Sequence, residues 1–243
     1  MNIFLKIRRK IYKAFHPVLG EIWMLHRVIP EEQHSQIQSN RDLEITPDFL
    51  EAKIIEYQRK GYRFVTIDFV REILDSISSF SCAKSQKFVC ITFDDGDSDN
   101  YEYALPIFRK YQVPFAVYVS TDFIDNRREM WWYPGQHLAL NKEQLLQLDQ
   151  EPLCTIGAHT LSHPKLDELT LEAQREEIEG SKYQLESWLG HPISHFSYPH
   201  GAYNDDTIKV VKNLQFSTAL MAWGGVVRKG MSLNALPRLI IKQ

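Results

Sequence analysis

The 243-residue sequence is poor in cysteine: Cys82, Cys90 and Cys154 are its three thiols. An odd number of cysteines without a C-x-x-C pair argues against a disulfide framework and an all-cysteine zinc site. The sequence also lacks a run of roughly 20 apolar residues, which a membrane-spanning helix needs. Its 28 Lys+Arg against 31 Asp+Glu give a net charge of −3, so the basic footprint of a nucleic-acid-binding protein is missing and no nucleic-acid partner is expected.

Histidine is present in quantity, with nine residues, and 44% of the chain is hydrophobic. With so few cysteines, imidazole and carboxylate groups would build any transition-metal site. The apolar content is sufficient for a sizeable core. We therefore expect one domain, which we place at residues 21–243.

Residues 1–20 form a separate segment in this interpretation. Its apolar residues recur at helical spacing, and the basic residues between them are Lys6, Arg8, Arg9, Lys10 and Lys13. The pattern predicts a short basic amphipathic helix, which either docks peripherally on an anionic membrane or packs on the domain. The apolar h-region of a cleaved signal peptide is missing. We therefore expect a cytoplasmic protein. If its N-terminal helix docks on a membrane, we expect the inner membrane face to be that surface.

The rest of the chain alternates between strand-like and helix-like segments about seven times, which favours an α/β fold with parallel strands. The predicted strands are 21–25, 62–67, 87–93, 114–120, 153–157, 193–198, 216–221 and 236–241. The predicted helix signals are Thr46-Pro47 to Gly61, Asp68 capping 69–75, Asn141 with Gln144, Thr170 to Gly190, and a start at Asp205 or Asp206. A barrel and an open doubly wound sheet both fit, and both place chemistry at the carboxyl ends of the strands.

Two adjacent carboxylates, Asp94 and Asp95, follow the predicted strand 87–93. Successive side chains of an extended chain diverge, so one carboxylate could bind a metal while the other faces a water molecule on that metal. The alternative is an acidic turn that caps a helix starting near Asn100.

Two histidines, His159 and His163, follow the predicted strand 153–157. A spacing of four lets both imidazoles reach one ion, although such a pair also arises by coincidence. Pro164 disfavours α geometry at His163, so we expect a tight loop that ends in an extended residue. Two imidazoles and one carboxylate are the ligand set of a catalytic zinc.

A third segment, Tyr198-Pro-His-Gly201, ends the predicted strand 193–198. It predicts a rigid turn that could aim a backbone N–H at a developing oxyanion.

In this order and spacing, Thr92-Phe-Asp-Asp-Gly96, His159-Thr-x-x-His163 and Phe196-Ser-Tyr-Pro-His-Gly201 resemble motifs of the polysaccharide deacetylase (NodB-homology, carbohydrate esterase family 4) proteins. The resemblance implies a distorted (β/α)7-type barrel and metal-dependent removal of N-acetyl groups from amino sugars. It further implies Asp95, His159 and His163 as metal ligands and Asp94 as the general base. The metal would be Zn²⁺ or another divalent ion such as Co²⁺ or Ni²⁺. The substrate would be an N-acetylated sugar of a surface polysaccharide, a lipopolysaccharide or a glycan precursor.

The sequence departs from the family pattern at two places. Many members carry the general acid in a Leu-x-His motif near the C-terminus, where this chain has Leu236-Pro-Arg238. His26 stands where the permuted branch resembling poly-N-acetylglucosamine deacetylases has its histidine, so we predict His26 as the acid; a structural strand-end histidine is the alternative. Ser197 replaces a common arginine, and Arg238 could supply that guanidinium to Asp94.

The predicted substrate-binding set is completed by Tyr198, His200, Trp223 and Arg238. Trp223 and the Trp131-Trp132-Tyr133 cluster could stack on a sugar face, and core packing or a subunit contact is the alternative. Two alternative functions stay open. One is hydrolysis of another C–N bond, in a cyclic imide or ureide, and the other is glycan binding without turnover.

Overall fold

The computed structural model describes residues 16–76 and 87–243. Residues 1–15 of the expected amphipathic segment lie outside this range, so the helix, its membrane contact and the boundary at residue 20 stay predictions. Among the described residues, no helix is long and apolar enough to cross a bilayer.

The described chain alternates strands with helices, as expected. The strands are β1 (Val18–Leu25), β2 (Arg27–Val28), β3 (Glu44–Ile45), β4 (Arg63–Phe64), β5 (Phe88–Phe93), β6 (Phe115–Val119), β7 (Cys154–Ala158), β8 (His195–Ser197), β9 (Thr218–Leu220), β10 (Val227–Arg228) and β11 (Leu239–Ile240). The α-helices are α1 (Gln38–Arg41), α2 (Pro47–Arg59), α3 (Ile67–Ser76), α4 (Leu105–Tyr111), α5 (Lys142–Asp149), α6 (Leu171–Leu189) and α7 (Asp205–Asn213). A π-helical turn at Asn100–Ala104 leads into α4.

The main sheet is a curled, largely parallel sheet with the order β10-β1-β5-β6-β7-β8-β9. β11 pairs in parallel with β1, and Leu236, just before β11, bridges to Leu220 at the end of β9. The segment 236–240 therefore connects the two sides of the sheet and curls it into a distorted barrel. The barrel fold that the motifs implied is confirmed.

Strict alternation along β5 separates two hydrophobic layers. Val89, Ile91 and Phe93 belong to the large cluster between the sheet and the helices. Phe88 and Cys90 belong to a second cluster on the other face of the sheet, which α3 joins. Because the side-chain period of a strand is two, this register places Thr92 and then Asp94 on the concave face of the sheet, at its carboxyl edge.

Helix boundaries follow the predicted caps at most positions. The Thr46 and Thr170 hydroxyls accept from the N–H groups of Phe49 and Ala173, and Asn141 forms a reciprocal capping box with Gln144. Gly190 adopts φ +79° and ends α6 in the left-handed conformation that glycine tolerates. The last helix begins at Asp205, one of the two predicted positions, with Asn204 as its cap.

One predicted helix cap and the bounds of two predicted strands are wrong. Asp68 does not cap its helix: Thr66 does, its hydroxyl accepting from the Phe69 N–H, and α3 begins at Ile67. The predicted strand 62–67 therefore shortens to β4, because a threonine cap outcompetes a continued run of apolar residues. The predicted strand 236–241 is likewise reduced to β11.

Candidate metal centre and substrate pocket

The three motifs meet at one edge of the sheet because they follow three parallel strands. Asp94 and Asp95 follow β5, His159 follows β7, and the turn 199–201 follows β8. Carboxyl ends of parallel strands lie at the same end of a barrel, which brings together residues that are far apart in sequence.

Asp94 and Asp95 point in different directions because the chain turns between them. Asp95 has φ +74°, a left-handed conformation, and Gly96 follows with φ +84°. The Ser120 N–H donates to the Asp95 carbonyl at 3.3 Å, which ties this turn to the end of β6. Asp94 consequently faces Arg238, whereas Asp95 faces the two histidines.

The histidine loop also departs from extended geometry. Thr160 has φ +69° and His163 φ +61°, so the prediction that His163 is extended is wrong. Pro164 does disfavour the right-handed helical region for the residue before it, but the chain satisfies this restriction with a left-handed residue instead. The Thr160 hydroxyl accepts from the His163 N–H at 3.0 Å, which closes the turn.

Asp95, His159 and His163 form a compact ligand group. Asp95 Oδ1 lies 3.5 Å from His159 Nε2 and 3.2 Å from His163 Nε2, and the three potential ligand atoms lie within 4.8 Å of one another. Asp95 Oδ1 is buried and accepts no hydrogen bond among the described residues. A buried carboxylate oxygen without a donor, facing two imidazole nitrogens, suits a divalent transition metal that keeps a further position open.

The electrostatics of this group favour an ionised carboxylate. Burial raises the pKa of the Asp95 carboxyl, but His163 and His159 outweigh it and hold the pKa well below its usual range. Burial lowers the pKa of His159, but Asp94 and Asp95 raise it above its ordinary value.

A hydrogen bond on the side away from Asp95 orients the ring of His159. Its Nδ1 lies 2.8 Å from the carbonyl oxygen of Ser197. Because a carbonyl oxygen can only accept, Nδ1 carries a proton, and Nε2 is the ring nitrogen that faces Asp95. Such a bond fixes the tautomer and orientation of a metal-binding histidine.

Asp94 is held by a bidentate contact with Arg238. The guanidinium donates to Oδ1 at 2.8 Å and to Oδ2 at 2.5 Å, and both residues are buried. Ser197 Oγ accepts from Arg238 at 2.9 Å and donates to Asp94 Oδ2 at 3.3 Å. Burial raises the pKa of Asp94, but Arg238 and His159 outweigh it and lower the pKa below its ordinary value. Asp94 is therefore a carboxylate at neutral pH.

His26 follows β1 and lines the same pocket. Its carbonyl oxygen accepts from the Asn100 side chain at 2.8 Å. Burial lowers the pKa of the His26 ring, and the opposing effects of Asp95 and Asp94 are smaller. His26 is therefore neutral at neutral pH.

His200 stands on the turn after β8 with φ +56°. Its ring centroid lies 4.5 Å from that of His163, and partial burial lowers its pKa to about 4. Tyr198, in contrast, is fully buried and donates to the Asn234 carbonyl oxygen at 2.8 Å, away from the pocket. The structure therefore does not support Tyr198 as a substrate contact: alternation along this strand turns its ring into the core.

The pocket above these groups has a volume of about 570 Å³. Trp131 and Trp223 lie at its rim and are 63% and 60% exposed, whereas Trp132 packs 4.6 Å from the His163 ring. Tyr133 is buried and donates to Glu44, so this member of the aromatic cluster belongs to the core. The wall residues that sequence reasoning missed are Met24, Ser39, Asn40, Leu43, Lys165, Ala222 and Ile240. Of these residues, Lys165 could have been found from the sequence, because it directly follows Pro164 at the end of the histidine motif.

Comparison with protein-family models gives a match to polysaccharide deacetylases over residues 82–219, more than half of the chain. Among curated proteins, YxkH of Bacillus subtilis is 26% identical over 211 residues, which cover 87% of this chain and 70% of that protein. The poly-β-1,6-N-acetyl-D-glucosamine N-deacetylase of Staphylococcus epidermidis is 26% identical over 164 residues. That match covers 64% of this chain, which spans only 55% of the staphylococcal protein.

Among solved structures, the deacetylase PplD of Streptococcus pyogenes, determined in complex with acetate, superposes with a TM-score of 0.77. It is 26% identical, and the match covers 93% of each chain.

Proposed function

Because this chain belongs to the polysaccharide deacetylase family, we propose that it hydrolyses the N-acetyl group of an amino sugar within a glycan, with a divalent metal ion held by Asp95, His159 and His163. The observation that carries this proposal is the convergence of three potential metal ligands and a separate carboxylate, Asp94, in one open pocket. The name of the staphylococcal N-deacetylase supports an N-acetylated substrate, and PplD, a deacetylase determined with acetate, supports removal of an acetyl group.

The residues divide the chemistry between them. A bound zinc ion would polarise the acetamide carbonyl and lower the pKa of a water molecule; Co²⁺ or Ni²⁺ suits the same nitrogen and oxygen ligands. Asp94 would take a proton from that water while Arg238 holds the carboxylate in place. The backbone N–H of His200 would stabilise the oxyanion. His26 is neutral in the free protein, so it would first have to gain a proton, and the proton that Asp94 takes from the water is available for this. It would then protonate the departing nitrogen, so that acetate and a free amino sugar result.

The two exposed tryptophans give the pocket a surface for sugar rings. Trp131 and Trp223 flank the turn that carries His200: the Trp131 ring lies 6.2 Å from the His200 ring, and Trp223 lies beside Gly201. Aromatic faces of this kind supply large contact areas to the apolar faces of a sugar. We therefore place the sugar of the substrate between them.

Acetate release from N-acetylated β-1,6-glucosamine oligosaccharides and from chitooligosaccharides tests the proposal. We expect release that falls to the level of the enzyme-free reaction after treatment with a chelator and returns on addition of Zn²⁺. Acetate release that is insensitive to the chelator would contradict the metal centre. Binding of the oligosaccharides without release would favour the non-catalytic function, and hydrolysis of cyclic imides or ureides alone would favour the other C–N bond.

Replacement of His26 by alanine tests the acid. We expect a decrease in kcat of about 10²-fold, because the leaving nitrogen then depends on solvent for its proton. His137, which has no assigned role, serves as the control: His137→Ala should keep the rate of the unmodified protein. If His26→Ala also keeps that rate, the strand-end histidine is structural.

A further inference from the structure

The loop that carries His163 is fastened to helix α6 by one side chain, Glu177. Its carboxylate Oε2 accepts from the Leu161 N–H at 3.0 Å and from the Ser162 N–H at 2.9 Å. Its Oε1 accepts from the Ser162 hydroxyl at 2.6 Å. The main-chain carbonyl of Glu177 also accepts from the Leu161 N–H, at 3.1 Å. One residue outside the pocket thus holds two consecutive residues of the loop.

The loop needs such support because its backbone is held in a sparsely populated conformation. Thr160 and His163, at its two ends, both have φ above +60° without being glycine. Residues in this region persist only where the surroundings determine them. The Leu161 side chain adds a second attachment, because it packs so closely on Gly180 of α6 that a Cβ there would lie 2.8 Å from Leu161 Cδ1.

The two histidines of the ligand group differ in how their rings are held. His159 is bonded through Nδ1 to the Ser197 carbonyl. His163 Nδ1 is buried and has no hydrogen-bond partner among the described residues. Its ring is placed by the backbone of its loop and by packing against Trp132 and His200. The orientation of His163 therefore depends on the loop. Glu177 holds the Leu161 and Ser162 N–H groups of this loop, and the Thr121 and Asp122 N–H groups also donate to its Thr160 and Leu161 carbonyls.

We propose that Glu177 is a positioning residue for the metal ligand His163: it fixes the loop 160–163 so that His163 Nε2 faces Asp95. The inference rests on the metal centre of the proposed function. Glu177 touches neither the pocket nor the ligand atoms, so its effect passes through the Leu161 and Ser162 main chain.

The test compares zinc affinity in Glu177→Ala, Glu177→Gln and the control Glu176→Gln. Glu176 is the exposed neighbouring carboxylate on α6. Competition with a chromophoric chelator measures the zinc dissociation constant. We expect Glu177→Ala to weaken zinc binding by about 10–100-fold, the usual effect of losing support behind a metal ligand. The zinc dissociation constant of Glu177→Gln should lie between those of Glu177→Ala and the unmodified protein, because an amide retains one acceptor oxygen. That of Glu176→Gln should match the unmodified protein.

Activity separates positioning from general destabilisation. For Glu177→Ala the zinc concentration that gives half-maximal activity should rise, while kcat at saturating zinc should return close to the original value. Glu177→Gln provides the same comparison if the alanine variant does not fold. Unchanged zinc affinity in both Glu177 variants would overturn the inference and leave the proposed function standing. Absence of zinc binding by the unmodified protein would overturn both.

Discussion

Replacement of Asp94 by asparagine is expected to lower kcat by about 10³-fold while zinc remains bound. Asparagine has the shape of aspartate but cannot take a proton from water, and general bases contribute about 10²–10⁴-fold to hydrolytic rates. Asp94 is paired with Arg238 and is not one of the three converging potential ligands, and its Oδ2 lies 4.0 Å from His159 Nε2. Zinc affinity should therefore change less than in Asp95→Asn. Acetate release under saturating substrate, together with the zinc content of the purified variant, checks both parts.

Asp95→Asn is the matched control for this variant, because the two aspartates are neighbours with different predicted duties. Loss of the Asp95 carboxylate should weaken zinc binding and turnover together, whereas Asp94→Asn should separate them. If Asp94→Asn retains more than a tenth of the rate, the base has been assigned to the wrong residue. If Asp94→Asn loses zinc and Asp95→Asn keeps it, the two roles are reversed.

Strands β1 and β5 to β9 and the convergence of the site were predictable, because these strands are short apolar runs and the site residues follow them directly. Asp94 directly follows the six buried residues of β5, and His159 follows β7. Parallel strands linked by helices must bring such ends together. The caps at Thr46, Asn141 and Thr170 were predictable for the same reason: each acts within four residues of its own helix.

Features that depend on contacts distant in sequence were not fixed by local patterns. The loop that carries the left-handed His163 is bonded to Glu177, fourteen residues from His163, whereas the restriction imposed by Pro164 pointed to an extended residue. Tyr198 was predicted to contact the substrate, yet its ring is buried in the core. The contact between Arg238 and Asp94 was expected only from the departure of this chain from the family pattern, because it joins residues 144 positions apart through the pairing of β11 with β1.

Replacement of Arg238 by methionine is expected to destabilise the fold by about 3–5 kcal/mol at neutral pH, because it leaves the buried Asp94 carboxylate without a counter-charge. The Arg238 side chain is completely inaccessible and also donates to Thr92 Oγ1 and to the Met221 carbonyl. Urea unfolding at pH 7 measures the loss. Arg238→Lys keeps a positive charge but not the bidentate geometry, so it should lower the free energy of unfolding by less than Arg238→Met does.

The pH dependence distinguishes the ion pair from mere packing. Arg238 holds the pKa of Asp94 below its ordinary value of 3.8, so the pair stabilises the fold above that pH and loses its effect as Asp94 becomes protonated at lower pH. In Arg238→Met, burial of Asp94 acts without this opposition and raises its pKa. The difference in unfolding free energy between the two proteins should therefore be largest near pH 7 and shrink toward pH 4. A difference that stays constant over this range would assign the loss to packing and to the bonds with Thr92 and Met221.

Combining Arg238→Met with Asp94→Asn should lower the free energy of unfolding by less than the sum of the single replacements, because removal of both charges leaves neither one buried alone.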